Sequence, residues 1–363
     1  MKMFRLILSL LILSLSLKAS ENPSPKNFLL PPLPVATTNN AVASVTIDEE
    51  QFLLSFMGLY EGKAAKDVHN KAWKLNVTAA LNDSPNKSQK ESTEQNQWQS
   101  ISPVPSTLKL KGRLASVAVG VDESVYLFGG YTVASSHEEE SAPDVYRYHV
   151  PSDVYTRLEP MPVPVDDAVA LVYRNRFIYL ISGWHNDGNV NLVQVYDLVK
   201  NEWFQASPFV GAPVFGHAGG IVDNQIMVCD GVRVMPSRLK RRTFAQETAC
   251  YRGEISPQQP NKINWYTWFH PTDAGRYRMA AAGDIETGDI IFVGGSINPY
   301  NFNGIGYNGQ PSEPSNEIWR YNVDSRKWTV STTKTPTMDH RGLINVNGNW
   351  VTIGGMTKGQ KVI

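Results

Sequence analysis

A chain of 363 residues with 42% hydrophobic content holds enough apolar material for a large core, and its regular patterning argues for one domain. Its 34 Lys+Arg balance its 34 Asp+Glu, so bulk charge points neither to nucleic acid nor to a membrane surface. Cys229 and Cys250 are its only cysteines and lack a CxxC partner or clustered ligands, so neither a metal nor another cofactor is expected.

Residues 1–19 carry Lys2 and Arg5, then an apolar stretch from Leu6 to Leu17 interrupted only by serines, with Ala19 as a cleavage position. This pattern predicts a secretory signal peptide rather than a membrane span, hence a periplasmic or secreted protein. Ser20 to Pro25 reads as a leader. Phe28 to Pro34 reads as an outer strand with a proline exit, but no sheet precedes it.

From there one pattern repeats. An apolar strand ends in Gly at Phe56-Met57-Gly58, Phe128-Gly129-Gly130, Ile181-Ser182-Gly183, Cys229-Asp230-Gly231, Val293-Gly294-Gly295 and Ile353-Gly354-Gly355. The copies lie roughly 50 to 70 residues apart. An aromatic strand follows each (Trp73, Tyr146, Tyr196, Tyr251, Trp319), then a strand with Trp98, Tyr155, Trp203, Trp265 or Trp328. Small antiparallel sheets of this kind bury both faces only against copies of themselves. The units start near Ala41, Leu114, Ala168, Ala218, Met279 and Gly342, which predicts an all-β, six-bladed propeller over residues 20–363. A polar loop insertion is expected at 81–97. The last unit breaks off after Gly355, leaving Lys361-Val362-Ile363, so the N-terminal strand is expected to complete that blade and close the ring.

Alternating strand directions put the long loops Tyr131–Asp144, Trp184–Val190, Val232–Gln246 and Ser296–Asn316 on one face, where binding residues are expected. Aligned on the small residues that follow, the segments leading into the blades present Arg113, Asp166-Asp167, His217, Arg276 with Arg278, and His340-Arg341. Their convergence at the channel mouth would favour an anionic ligand, although any one arginine could equally tie loops to carbonyls and acids. His217 and Asp167 are the candidate proton carriers of that set. Gly304 to Gly309 matches GxGxxG, but no helix follows to receive a phosphate. Its Asn303 and Tyr307 suit a loop covering a sugar ring, and Arg242, ending the run from Arg238, joins the candidate ligand-binding set. Cys229 and Cys250 fall on neighbouring strands, as a disulfide or as two buried thiols.

The repeat resembles the Kelch β-propeller superfamily over nearly the whole mature chain. Gly294-Gly295-Ser296-Ile297-Asn298, Phe302-Asn303-Gly304 and the ending Gly354 to Lys361 are similar to bacterial periplasmic N-acetylneuraminate epimerases, the sialic acid mutarotases, and their circularly permuted relatives. That resemblance implies a sugar mutarotase. The family's catalytic glutamate, however, has Val232 in its place here, or Met356 if the blades are permuted. Galactose oxidase, another Kelch resemblance, needs copper held by Tyr and His, and no such cluster is placed here. The expected function is therefore a ligand-binding propeller taking an anionic sugar at the channel mouth, or a mutarotase acting on N-acetylneuraminate-like acids. A glycan or a protein partner on the loop-rich face is the other expectation.

Overall fold

The computed structural model describes residues 30–82, 97–238 and 242–363, so the expected signal peptide and leader and most of the expected 81–97 insertion lie outside the described residues. Among those described, five antiparallel sheets follow one another in sequence, four of them four-stranded and the first carrying Thr37–Thr38 as a fifth strand. The first comprises Ala41–Ile47, Glu50–Tyr60, Val68–Asn76 and Gln99–Ile101. The second comprises Val117–Val121, Ser124–Phe128, Val145–His149 and Val154–Arg157. The third holds Val169–Tyr173, Phe177–Ile181, Val193–Asp197 and Glu202–Gln205. In the fourth are Ala218–Val222, Gln225–Cys229, Cys250–Ile255 and Ile263–Trp268. The fifth has Ala280–Asp284, Asp289–Val293, Ser315–Asn322 and Lys327–Thr337. Each is a blade.

The second strands read as unbroken apolar runs because both of their faces are covered. In Phe177–Ile181, Tyr179 and Ile181 pack toward Ile226 and Val228 of the fourth blade. Ile178 and Leu180 point the other way, toward Val117 and Phe128 of the second. Each such side chain stabilises the ring by about 1.5–3 kcal/mol. The first strands are small for a different reason. They meet around the axis so closely that a Cβ on Gly283 would stand 1.8 Å from the Ile221 carbonyl oxygen, and one on Gly120 2.0 Å from that of Ser44.

The outer aromatics tie each blade to the linker before it. Trp203 Nε1 donates to the Glu159 carbonyl (2.9 Å), Trp265 to Ser207 (3.4 Å) and Trp328 to Phe269 (2.8 Å). In the second blade Tyr155 takes this role, its hydroxyl bonding the Ser102 carbonyl at 3.0 Å. In the first blade Trp98 donates to Pro31 at 2.9 Å.

Three expectations are modified. After the fifth blade the structure has a two-stranded hairpin, Ile344–Val346 with Asn349–Val351, and a short pair, Met356–Thr357 with Lys361–Val362. Residues 30–36 form no strand; Leu30 and Leu33 pack on Ile344, Val346 and Ile353 instead. Its prolines remove the donors a ladder needs. The first blade does not stop at Gly58: its second strand runs on to Tyr60, with a register shift at Met57, because Thr37 and Thr38 pair with Tyr60 and Leu59. Leu81, expected in a loop, belongs to a short helix, Val77–Asn82, whose Val77 and Leu81 pack beside Leu53 and Trp73. The cysteines are bridged, at an S–S distance of 2.03 Å, as register partners in the fourth blade.

Candidate functional site

Where the chain enters each of the five blades and the hairpin 344–351, one residue has a left-handed backbone. These are Asn39 (φ 57°), Ala115 (54°), Asp167 (51°), Gly216 (62°), Arg278 (56°) and Asp339 (68°). Their peptides hydrogen-bond in succession around the axis: Ala115 N–H to Asn39 O, Asp167 to Ala115, Gly216 to Asp167, and Arg278 to Gly216. His340 N–H then donates to Arg278 O. Holding non-glycine residues there costs on the order of 1 kcal/mol each, which the encircling bonds offset.

This backbone ring corrects the sequence alignment by one or two positions. Of the residues placed there from the sequence, Asp167 and Arg278 occupy the equivalent place and the others flank it. Arg113 is buried against Asp144 (3.2 Å) and the Pro105 carbonyl (3.3 Å). Arg276 pairs with Glu317 at 2.7 Å and with the Ala274 carbonyl at 2.9 Å. Both clamp linkers between blades, and neither lines a cavity at the ring.

At the centre, Arg278 Nε lies 3.1 Å from Asp167 and its Nη1 3.0 Å from Asp339. Arg341 reaches Asp167 at 2.8 Å, Asp339 at 3.6 Å and the Asn39 side chain at 2.7 Å. Asp339 also accepts from Thr38 Oγ1 and, at 2.6 Å, from Asn39 Nδ2. Burial alone would raise the Asp167 carboxyl, but Arg278 and Arg341 outweigh it and hold the group below the usual range. Asp167 is thus a fixed carboxylate. On the axial side, Asp167, His217, Arg278, His340 and Arg341 share a small cavity with the inner strands. Burial lowers both imidazoles to about 4. His217 Nε2 is 2.9 Å from the Ile181 carbonyl, and His340 Nε2 is 2.6 Å from Thr337 Oγ1.

A second cavity opens on the loop-rich face, with Asp167 and Arg278 as its floor. Trp184, Phe215, Phe244 and Tyr307 form an aromatic wall; Trp184 and Phe215 meet edge to face at 5.3 Å, and Phe244 stacks on Tyr307 at 4.2 Å. Arg242 lies over the Trp184 ring at 4.9 Å and donates to the Asp187 carbonyl at 2.9 Å. Glu139, Ser141, Asp166 and Asn186 line the same cavity. Ser141 Oγ donates to Asp166 at 2.8 Å, and Asn186 Oδ1 accepts from the Ser141 amide at 3.1 Å. Burial, then the neighbouring Asp167, pushes the Asp166 carboxyl well above its ordinary range. Glu139 stands at the exposed rim, yet crowding by the walls raises its carboxyl too, against the pull of Arg278 and Arg242.

The roof is the 296–316 loop. It folds on itself through Tyr300 with Gly306 and Ile305 with Pro311, and supplies Asn301, Phe302 and Tyr307. Phe302 comes to rest on Leu114 and Tyr131, so a loop rooted in the fifth blade reaches the second across the axis. Asn303 caps its own turn, accepting from the Ile305 amide at 3.0 Å, and does not line the cavity.

Of the sequence candidates, Asp167, Arg278, Arg242 and Tyr307 meet at this cavity. Asp166, read beside Asp167 at the same blade entry, lines it too, whereas Glu139, Ser141, Trp184 and Phe244 were missing from the candidate set. A usable signal existed for Trp184: it immediately follows Gly183, as Tyr131 follows Gly130, and both pair with the residues leading into their blades.

No family model matches the chain. Kelch-like protein 15 of Mus musculus is 22% identical over 254 residues, covering 65% of this chain and 37% of that protein. Kelch-like protein 40 of Xenopus tropicalis is 24% identical over 233 residues, covering 64% of this chain and 33% of that one. The chain thus spans about a third of the length of these relatives. Among solved structures, that of YjhT superposes with a TM-score of 0.67 at 14% identity, covering 92% of this chain and 94% of the other.

Proposed function

We propose that this Kelch-repeat β-propeller binds a sugar in the cavity between the backbone ring and the 296–316 loop. The carrying observation is the pairing of an aromatic wall with converging polar groups: Trp184 and Phe244 on one side, Ser141, Asp166, Asn186 and Asn301 on the other. A sugar has an apolar face that packs on an aromatic ring and a rim of hydroxyls that need partners, which is the division the pocket offers. Saturation-transfer NMR with a panel of monosaccharides tests this. Binding that weakens roughly tenfold or more in Trp184→Ala is expected; an unchanged affinity in that variant refutes the placement.

The anionic sugar expected from the arginines rests here on Arg242, a cavity-lining guanidinium that lies 3.6 Å from the exposed Asp187 carboxylate. The six-bladed reading takes the hairpin 344–351 as the inner half of a last blade that the N-terminal segment completes. In its support, Pro31 receives Trp98 as Glu159 receives Trp203, and Thr37 exchanges backbone bonds with Gly355 and Ile363. An extracytoplasmic location is part of the same proposal, with the Cys229–Cys250 disulfide suiting an oxidising compartment.

The second reading is a mutarotase acting on N-acetylneuraminate-like sugars. Two pocket carboxyls with raised proton affinity, Asp166 and Glu139, favour it, since ring-opening of a hemiketal needs a proton donor and an acceptor. Proton NMR of freshly dissolved N-acetylneuraminate decides between the readings. Anomer equilibration faster than in buffer, and lost in Glu139→Gln, supports the enzyme. Ligand broadening at the buffer rate supports the binding module.

A further inference from the structure

Three carboxyls, Glu139, Asp166 and Asp167, line the loop-face cavity against two guanidinium groups, Arg278 and Arg242. Arg278 is engaged between Asp167 and Asp339, and Arg341 behind it spans the same two acids. Arg242 is held over Trp184 by the Asp187 carbonyl. Two lining carboxyls remain. The Asp166 carboxyl, in a residue 3% exposed, has only the Ser141 hydroxyl, and the Glu139 carboxyl has no hydrogen-bond partner among the described residues.

We infer that this imbalance makes the pocket selective for uncharged sugars over sugar acids, with Glu139 and Asp166 as the residues that set the selectivity. The inference rests on the sugar-binding reading and specifies its substrate class. A ligand carboxylate entering the cavity would stand beside Glu139 and above the fixed Asp167 carboxylate in a partly desolvated space, where like charges repel strongly. An uncharged sugar meets no such penalty. Its hydroxyls donate to Glu139, and Asp166, when protonated, donates to a ring or hydroxyl oxygen. One remote carboxyl group, not the whole sugar, is what the site excludes.

The same groups fix the pH dependence. Facing Glu139 are Arg278, Arg242 and His137, which favour its charge, and Asp167, which opposes it. Facing Asp166 are Asp167, Glu139, Arg278 and the Ser141 hydroxyl. A bound anion opposes ionisation of both further, so sugar acids should bind with proton uptake and gain affinity as pH falls.

Matched pairs differing only in charge test this: galactose against galacturonate, and N-acetylneuraminate methyl ester against N-acetylneuraminate, titrated into the mature chain by NMR near pH 7.5 and 5.5. The uncharged member is expected to bind roughly tenfold tighter at the higher pH. The gap should narrow at the lower pH and in Glu139→Gln, a rim substitution that leaves the fold intact; Asp166→Asn should narrow it as well. Equal or tighter binding of the acids, unimproved by Glu139→Gln, overturns the selectivity while leaving the sugar site standing. If neither member of either pair binds at either pH, the sugar reading falls and the selectivity falls with it.

Discussion

Asp339 carries more of the axial architecture than any other side chain at the ring. Arg278, Arg341, Thr38 and Asn39 all bond it, and its side chain has no exposed surface. Asp339→Ala leaves two buried guanidinium groups sharing the single carboxylate of Asp167. The variant should lose about 3–5 kcal/mol, read as a shifted urea midpoint. Asp339→Asn should recover part of that loss, since it keeps the hydrogen bonds to one side. The buried histidines give a second measurable effect. His217 and His340 are held neutral down to about pH 4, whereas an unfolded histidine takes a proton near 6.5. Folded values below unfolded ones mean that stability is present above pH 6.5 and is lost as pH falls toward 4. Each contributes up to about 3 kcal/mol to that loss. Thermal melts between those pH values should fall steadily, and His217→Gln should flatten the slope. These residues also show how far the sequence could be read. Residue types at the ring were legible, but their partners were not: Arg113 and Arg276 satisfy the same local pattern as Arg278 and differ only in which acids the fold brings against them.

At the scale of strands, legibility was higher because the signal is periodic. Runs such as Phe177–Ile181 and Asp289–Val293, closed by Ser-Gly or Gly-Gly, fall where the glycines and aromatic pairs put them. The failures occur where tertiary contacts replace a ladder. Residues 30–36 lie on the hairpin 344–351 as a proline-broken segment, and the strand through Gly58 continues because Thr37 and Thr38 supply partners from far away in the fold. The close approach of inner strands makes a sharp test. Gly283→Ala would drive a methyl group against the Ile221 carbonyl and should cost about 1–3 kcal/mol or more, whereas Gly309→Ala meets no atom within 4 Å and costs only its left-handed backbone strain. The disulfide belongs to this scale too. It joins residues 21 apart within one blade, so reduction should destabilise by about 3 kcal/mol without opening the ring.

For the whole molecule, the repeated grip of an outer aromatic on the preceding linker means that each blade is fastened by the next. Between residues near the two ends of the described chain, Thr37 N–H donates to Ile363 O and Gly355 N–H to Thr37 O, and Trp98 donates to Pro31. Removing residues up to Val35 uncovers Leu53, Trp73 and Ile353 and takes away the Trp98 partner. Such a truncation should unfold at lower denaturant and with two separable transitions, the first and last sheets preceding the rest.

The walls of the loop-face cavity come from the second, third, fourth and fifth blades, through Tyr131, Trp184, Phe244 and Tyr307. A molecule lodged there is a keystone: it touches four wedges of the arch at once, and none can splay outward without releasing it. Occupancy should therefore tighten the whole circle rather than one loop, adding about 2.7 kcal/mol at a hundredfold excess over its dissociation constant. An unlabelled compound library can then be screened by melting temperature alone.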